Sequence, residues 1–165
     1  MLAYKQRKQL VVGIGDLKLS SDTEDTIITY SLGSCIGLTL YDPINQVGGM
    51  IHCMLPLSKQ DPEKARRNPY MFTDSGVQSM IQQLFDLGAS RKNLIAKVAG
   101  GAKLLDAKGL FRIGERNYTV LRKVLWKNDI LIAAEDVGES KSRTMVLDMA
   151  TGKTYLRTAR MEMEL

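Results

Sequence analysis

The segment around residues 42–45 constrains the fold most strongly, because it predicts a tight β-hairpin. Its residues, Asp-Pro-Ile-Asn, suit a four-residue turn, since proline fixes its own φ and the Asp and Asn side chains can bond nearby backbone groups. Apolar residues alternate with other residues on both sides of the turn, as in strands. Paired residue numbers in an antiparallel hairpin add up to a constant, so a Tyr41–Gln46 pair places Cys35 opposite His52.

The predicted neighbours matter chemically because His52 is the sole histidine of the chain. Directly opposed residues have Cβ atoms about 4.5–5.5 Å apart, which leaves a cysteine sulfur and a ring nitrogen within or near hydrogen-bonding reach. A slip of one residue would put the two side chains on opposite faces. Cys53, next to His52 in sequence, is expected to point to the other face and to behave as a small buried hydrophobe.

Residues near this pair suggest how its chemistry could be supported. Gly33, two positions before Cys35, permits an unusual backbone geometry that leaves amide groups free to face a developing oxyanion. Thr29, on the preceding strand, could hold the imidazole in the tautomer that accepts the thiol proton, or could serve strand propensity alone. Glycines also remove side chains from the hairpin, either to admit a substrate or to relieve strand twist and form a bulge: Gly37, Gly48 and Gly49.

Length and composition bound the class of protein. A chain of 165 residues fits one domain, 1–165, that buries a core without disulfides or a structural metal. Two cysteines, neither in a CxxC motif, argue against a disulfide framework, and a zinc site would need a carboxylate and a distorted register. No glycine-rich phosphate loop follows a strand, so no cofactor is expected.

The net charge of +5 fits an acidic partner surface as readily as nucleic acid. With aromatic residues at only 6%, the sequence gives thin support for nucleic-acid binding by base stacking, and a solvated basic surface is the simpler interpretation. The first residues lack the apolar segment of a secretory leader, and no stretch approaches the roughly 20 apolar residues of a membrane span. We therefore expect a cytoplasmic protein with reduced thiols and no direct membrane insertion.

Hydrophobic periodicity predicts a strand-rich chain with two main helices. Apart from the hairpin, strands are expected at residues 9–14, 26–30, 94–99, 130–134, 143–149 and 153–157, and a loop at 16–25. The polar segment 58–69 is expected to lie on the surface. This order of elements fits an α+β fold or layered sandwich better than a regular βαβ alternation.

The first helix is expected to begin at Asp74 as the N-cap and to stop at Gly88. Its predicted buried face consists of Val77, Met80, Ile81, Leu84 and Leu87. The second helix is expected after residues 113–117, with a buried stripe of Val120, Leu121, Val124 and Leu125.

Two runs of the sequence resemble a known family. Residues 30–42, YSLGSCIGLTLYD, and residues 48–56, GGMIHCMLP, are similar to the signature of the chemoreceptor glutamine deamidases of the CheD family in bacterial chemotaxis. The likeness continues in three shorter runs, 97–102, 113–117 and 134–138. It departs at Glu139, where a second glycine is usual, and within residues 104–110.

The resemblance implies a cysteine-dependent amidohydrolase that converts selected chemoreceptor glutamines to glutamate, releasing ammonia through a thioester intermediate. Cys35 matches the family's nucleophile, His52 its base and Thr29 its orienting residue. The implied fold is a layered α/β/β sandwich similar to the catalytic domains of deamidating bacterial toxins. The implied partners are the cytoplasmic helices of chemoreceptors, which the basic residues of 64–67 could contact, and a CheC-type phosphatase.

Two other functions are also compatible with the sequence. The chain could be a regulatory binding module that acts on a CheC-type phosphatase, with a dispensable thiol. It could also be a thiol hydrolase of a different substrate, such as a small amide or a receptor methyl ester.

Overall fold

The computed structural model describes residues 8–103 and 112–165, which form two five-stranded sheets and three α-helices. The strands are β1 (Lys8–Val12), β2 (Asp16–Ser20), β3 (Asp25–Leu32), β4 (Ile36–Asp42), β5 (Val47–Cys53), β6 (Ile95–Gly100), β7 (Ile132–Val137), β8 (Arg143–Asp148), β9 (Lys153–Arg157) and β10 (Glu162–Glu164). The helices are α1 (Pro62–Arg67), α2 (Thr73–Asp86) and α3 (Ile113–Lys127), with short 3-10 turns at Ser58–Gln60, Pro69–Met71 and Arg91–Asn93.

The two sheets are mixed, with a mostly antiparallel core. The first has the strand order β1-β3-β8-β9-β10 and the second the order β2-β5-β4-β6-β7. The β1–β3 and β6–β7 pairs are parallel, and the other pairs are antiparallel. Consecutive strands β3 and β4 therefore belong to different sheets, and residues 33–35 make the crossing between them.

Two apolar layers hold the sandwich together. Helices α2 and α3 pack on one face of the second sheet, whose inward residues include Ile36, Leu38 and Ile51. The other face of that sheet packs on the first sheet through residues such as Met50 and Met145. Because β4 is covered on both faces, every one of its residues is buried. The α+β fold with an α/β/β layering is confirmed.

The stretch 16–25 was expected to be a loop, and this prediction was wrong. Residues 16–20 form β2, an edge strand that pairs with β5. Only Leu17 and Leu19 pack against the helix-side core. The five residues do alternate polar with apolar, but the alternation is short and only two of its residues are apolar.

The helix boundaries also differ from the prediction. Helix α2 begins two residues earlier than an Asp74 cap requires, because Phe72 is its N-cap residue. Asp74 lies inside the helix and accepts hydrogen bonds from the Ser58 amide and hydroxyl. Leu87 is 48% exposed rather than buried. Gly88 has φ 103°, which confirms it as the left-handed stop.

Other predicted segments keep their type and change their extent. Segment 58–69 lies at the surface and contains α1 rather than only loop. Helix α3 already begins at Ile113, and the strand expected at 130–134 runs from Ile132 to Val137. The atypical stretch 104–110 lies outside the described residues. Within the described ranges, none of the helices has the length and apolarity needed to cross a membrane.

Candidate active site

The hairpin places Cys35 and His52 on one face, but not directly opposite one another. In the observed register Gly37 faces His52 and Ile36 faces Cys53, so the predicted Cys35–His52 pair was wrong by an offset of two residues. An offset of two conserves the face on which a side chain lies. Cys35 directly precedes β4 and packs in the layer between the sheets, as does His52. Continuing the register by one residue would make the two residues diagonal neighbours, a relation in which Cβ atoms lie about 7–8 Å apart or somewhat less.

The turn explains the changed register. Asp42 still belongs to the ladder and pairs with Val47, and Gln46 adopts φ 54° to close the loop. The Asp42 carboxylate accepts hydrogen bonds from the backbone amides of Ile44, Asn45 and Ser90. Although burial opposes ionisation, these bonds and the Asn45 side chain lower the pKa of Asp42 to about 2. The charged carboxylate thus organises a turn one residue beyond the predicted one.

The two cysteines have different surroundings. Cys53 is 0% exposed and packs in the core beneath α2 and α3, as predicted for a small buried hydrophobe. Cys35 lies in the 33–35 crossing, is partly exposed and packs against the core between the sheets. Of the two thiols, only that of Cys35 can meet a molecule from outside.

Thr29 reaches the imidazole from the other sheet. Its hydroxyl oxygen lies 2.7 Å from His52 Nδ1 and 2.7 Å from the Val12 carbonyl oxygen, and it is fully buried. A threonine has one hydroxyl hydrogen, and a carbonyl can only accept, so this hydrogen goes to Val12. The Nδ1–H of His52 must then donate to Thr29, which leaves Nε2 unprotonated with its lone pair available.

The other ring nitrogen of His52, Nε2, is a buried hydrogen-bond acceptor. His52 is 1% exposed, and its Nε2 has no hydrogen-bond partner among the described residues, the Cys35 thiol included. Burial disfavours the charged imidazolium and lowers the pKa of His52 to about 4. A buried acceptor without a partner carries a desolvation cost of about 1–3 kcal/mol. A catalytic role is one explanation for such a group in a folded protein.

The thiol is also neutral at rest. Burial raises the pKa of the Cys35 thiol, while hydrogen bonding from its own backbone amide lowers it by a smaller amount. The pKa of the imidazole is lowered and that of the thiol is raised. At neutral pH the protein therefore has a thiol and a neutral imidazole rather than a preformed thiolate–imidazolium pair. This arrangement suits a base that takes the proton as the sulfur attacks.

The end of β6 supports the Cys35 crossing. Gly101 donates its amide to the Cys35 carbonyl and Ala102 donates to Gly33, each at 2.8 Å. A Cβ atom on Gly100 would lie only 2.3 Å from the Cys35 carbonyl oxygen, and Gly100 has φ 106°. Only glycine permits this approach. Gly33 does not have a positive φ; the positive φ before the crossing belongs to Ser31 in β3, at 59°, where the pairing with β8 shifts register.

The hairpin glycines make room for neighbouring buried side chains rather than for a substrate. All of them are buried. A Cβ on Gly37 would press on Leu32, and one on Gly49 would lie 2.4 Å from a Leu19 methyl carbon. A Cβ on Gly48 would lie 2.8 Å from the Tyr41 ring. The hypothesis that they open a path for substrate is therefore wrong.

Sequence reasoning missed two buried polar residues beside the site. Asn117 of α3 donates to the Ser34 and Met54 carbonyls, each at 3.0 Å. Arg143, with a fully buried side chain, forms an ion pair with Asp136 at 2.7 Å and donates to the Gly100 carbonyl. The available signal was weak: an asparagine on the buried stripe of a helix, and an arginine at the start of an apolar strand.

The chain is similar to one family model and to several named proteins. Residues 54–158 match the family model CheD, described as CheD chemotactic sensory transduction. A probable chemoreceptor glutamine deamidase CheD of Solibacter usitatus is 47% identical over 150 residues, covering 91% of this chain and 89% of that protein. A second, from Syntrophus aciditrophicus, is 43% identical over 91% of this chain and 94% of its own length.

Another relative and one solved structure are also similar to this chain. The probable chemoreceptor glutamine deamidase CheD of Desulforamulus reducens is 40% identical over 157 residues, with 93% of each protein covered. The crystal structure of the Bacillus licheniformis hypothetical protein YfiH aligns with a TM-score of 0.48 at 12% identity, over 76% of this chain and 50% of that one. The match of the family model and the identity to these relatives show that the chain belongs to the CheD family.

Proposed function

We propose that the protein is a cysteine-dependent deamidase that hydrolyses glutamine side chains of chemoreceptors to glutamate and releases ammonia. Relatives at 40–47% identity are named for this activity. The observation that carries the proposal is the Thr29–His52 hydrogen bond, which leaves Nε2 as an unpartnered base on the face it shares with Cys35. The proposed roles are nucleophile for Cys35, base for His52 and orienting residue for Thr29.

The first step forms a carbon–sulfur bond. The Cys35 sulfur attacks the carboxamide carbon of the substrate, and the carbonyl π electrons move to oxygen. The thiol proton passes to His52 Nε2, either after rotation of the thiol or through one water. Because the resting thiol and imidazole are both neutral, this transfer becomes favourable only as negative charge leaves the sulfur for the carbonyl oxygen. Donors at that oxygen therefore control the barrier.

The remaining steps return the enzyme to its starting state. Protonated His52 gives its proton to the amide nitrogen, the carbon–nitrogen bond breaks, and ammonia leaves a thioester on Cys35. His52 Nε2 then takes a proton from water while the water oxygen attacks the thioester carbon. The carbon–sulfur bond breaks, the sulfur regains its proton, and glutamate is released. Thr29 keeps Nδ1–H in place through both proton transfers, as a neutral counterpart of the triad carboxylate.

The exposure of the site suits a macromolecular substrate. Cys35 is partly exposed while His52 behind it is 1% exposed, so the nucleophile lies at the surface and the base is shielded from water. A glutamine side chain projecting from a receptor helix can reach such a thiol without entering a deep pocket. Exposed basic residues of α1, Lys64, Arg66 and Arg67, are a proposed contact for an acidic receptor surface. Action on cytoplasmic receptor helices would place the protein in the cytoplasm.

Mass spectrometry of a chemoreceptor cytoplasmic fragment tests the proposal. Incubation with the protein should add about one mass unit at specific glutamines, the change from NH₂ to OH, with ammonia released in equal amount. Cys35→Ala should abolish both signals, and Cys53→Ala, the matched control at the other cysteine, should retain them. Unchanged ammonia release by Cys35→Ala would eliminate the proposed nucleophile. Loss of methanol from a receptor methyl ester without any glutamine change would favour the esterase alternative.

We also propose a CheC-type phosphatase as a partner, as the resemblance to the CheD family implies. If the protein regulates such a phosphatase by binding alone, Cys35→Ala should stimulate it as strongly as the unaltered protein does. Titration of a purified CheC-type phosphatase with both proteins measures this directly. Absence of both binding and stimulation would remove the phosphatase from the list of partners.

A further inference from the structure

The buried carboxamide of Asn117 can influence the reaction through the backbone groups it binds, without contacting a substrate. The residue is 0% exposed and lies on the inner face of α3. Its Nδ2 group donates to the Ser34 and Met54 carbonyls, each at 3.0 Å. Its Oδ1 lies 3.2 Å from the Thr73 hydroxyl, whose one hydrogen is shared between this oxygen and the Leu55 carbonyl at the same distance. Only the NH₂ end can donate to two carbonyls, so the orientation of the amide is fixed.

The position itself argues for a specific role. Leu121 and Leu125 occupy the same buried stripe, and an apolar residue at position 117 would satisfy packing alone. Burying an amide is costly unless its hydrogen bonds are made, and here both ends of the group are used. The partners are backbone carbonyls of two different strand ends rather than of the helix itself.

The first of these carbonyls controls the direction of an amide at the nucleophile. The Ser34 carbonyl and the Cys35 N–H belong to one planar peptide group, and the described chain has no cis peptide bond. In a trans peptide the C=O and N–H bonds point in opposite directions. By holding the carbonyl toward α3, Asn117 turns the Cys35 N–H away from the helix. Burial raises the pKa of the Cys35 thiol, and this same N–H partly offsets that effect by supporting the thiolate of its own residue.

The second carbonyl couples the nucleophile to the base. Met54 follows β5 directly and lies two residues after His52, while Ser34 directly precedes Cys35. One side chain therefore joins the strand end that carries the thiol to the strand end that carries the imidazole. Close packing keeps α3 in place for this, since a Cβ on Gly114, one turn before Asn117, would lie 2.5 Å from the Gly101 and Ala102 carbonyl oxygens.

We propose that Asn117 is a positioning residue of the deamidation reaction, which orients the Ser34–Cys35 peptide so that the Cys35 N–H faces the developing oxyanion. The inference rests on the proposed function for its kinetic consequence. Its geometric consequence, the support of the Cys35 thiolate by its own amide, does not depend on which substrate is hydrolysed.

The test replaces Asn117 by leucine and compares it with Asn128→Ala. Asn128 follows the same helix, donates to Val124 and Gln78, and lies at the end of α3 remote from the carbonyls that Asn117 holds. Removing one oxyanion donor costs about 10²–10³-fold in kcat, so Asn117→Leu should lower kcat by about 10²-fold. KM should stay unchanged because Asn117 meets no substrate. Asn128→Ala should keep both constants.

A second measurement tests the geometric consequence of the proposal separately from the kinetic one. Alkylation of Cys35 by iodoacetamide should be slower in Asn117→Leu at a given alkaline pH, because the thiolate loses an aligned donor and the rate profile moves to higher pH. Asn128→Ala should keep the profile of the unaltered protein. If the unaltered protein releases no ammonia but the alkylation profile shifts as expected, the proposed function fails and the positioning role stands.

The proposal is overturned if folded Asn117→Leu matches Asn128→Ala in kcat and in the alkylation profile, or if kcat falls only with the folded fraction. Should Asn117→Leu fail to fold, Thr73→Val carries the test, since it removes the hydroxyl that holds Asn117 Oδ1. That variant should lower kcat with KM unchanged. Wild-type kcat and alkylation in folded Thr73→Val would overturn the proposal.

Discussion

Replacing Thr29 by valine isolates the hydrogen bond on which the site depends. Valine has nearly the shape of threonine but cannot accept the His52 Nδ1–H or donate to the Val12 carbonyl, contacts that both measure 2.7 Å in a fully buried setting. Each buried group left without a partner costs about 1–3 kcal/mol, so with two such groups the free energy of unfolding should fall by about 2–6 kcal/mol. The larger effect is on the ring, whose tautomer is no longer set.

With either ring nitrogen free to carry the hydrogen, Nε2 spends part of its time protonated and cannot accept the thiol proton. General-base catalysis contributes about 10²–10⁴-fold, and since Thr29 is neutral we expect the lower end, a fall in kcat of about 10²-fold. Ammonia release from a chemoreceptor fragment measures this under conditions where the variant is folded. Thr29→Ser, which keeps the hydroxyl, should restore most of the rate.

A matched control comes from the same sandwich. Thr39 is 1% exposed and its hydroxyl lies 2.9 Å from that of Thr154, so Thr39→Val also breaks a buried hydroxyl contact. It should lose stability and keep its kcat. Equal kcat values for Thr29→Val and Thr39→Val would show that Thr29 matters only for stability.

Three further predictions follow from the charged and titrating groups. Since burial lowers the pKa of His52 from 6.5 to about 4, the unfolded chain binds the extra proton first, and acidification across that window should lower stability by up to about 3 kcal/mol. Urea titrations should show this dependence flattened in His52→Gln, and an equal slope in both proteins would contradict it. Iodoacetamide should alkylate Cys35 slowly at pH 7 and faster above pH 9, because its thiol pKa is raised from 9.0; rapid alkylation at pH 6 would instead indicate a preformed thiolate. Arg143→Met should cost about 1.5–3 kcal/mol in urea unfolding, since it removes the buried partner of the Asp136 carboxylate and leaves only the more exposed Lys141 beside it, and a loss below 1 kcal/mol would contradict this role.

The sequence predicted those features of the fold that depend on local patterns. Apolar alternation located the strands, and the 3.6-residue period located α2 up to its stop at Gly88. The shared face of Cys35 and His52 was also correct, because side-chain direction depends only on even or odd spacing. The exact pairing was not, since it depends on where the Asp42 carboxylate closes the turn.

What the sequence could not supply are contacts between distant segments. The Thr29–His52 bond joins two sheets and spans 23 positions, and it could be suggested only as one use for a strand threonine. The Asn117–Ser34 contact spans 83 positions and depends on how α3 packs over the second sheet. Strand β2 was missed because its polar residues outnumber the two leucines that pack. In each case tertiary packing decided what local propensity could not.

Nitrogen-15 NMR of the lone histidine can identify its tautomer, because a single residue produces both ring signals. We expect His52 to be a neutral imidazole with hydrogen on Nδ1 and a bare Nε2, and this state to persist on acidification until about pH 4. Hydrogen on Nε2 at neutral pH, or titration at the ordinary value of 6.5, would contradict it.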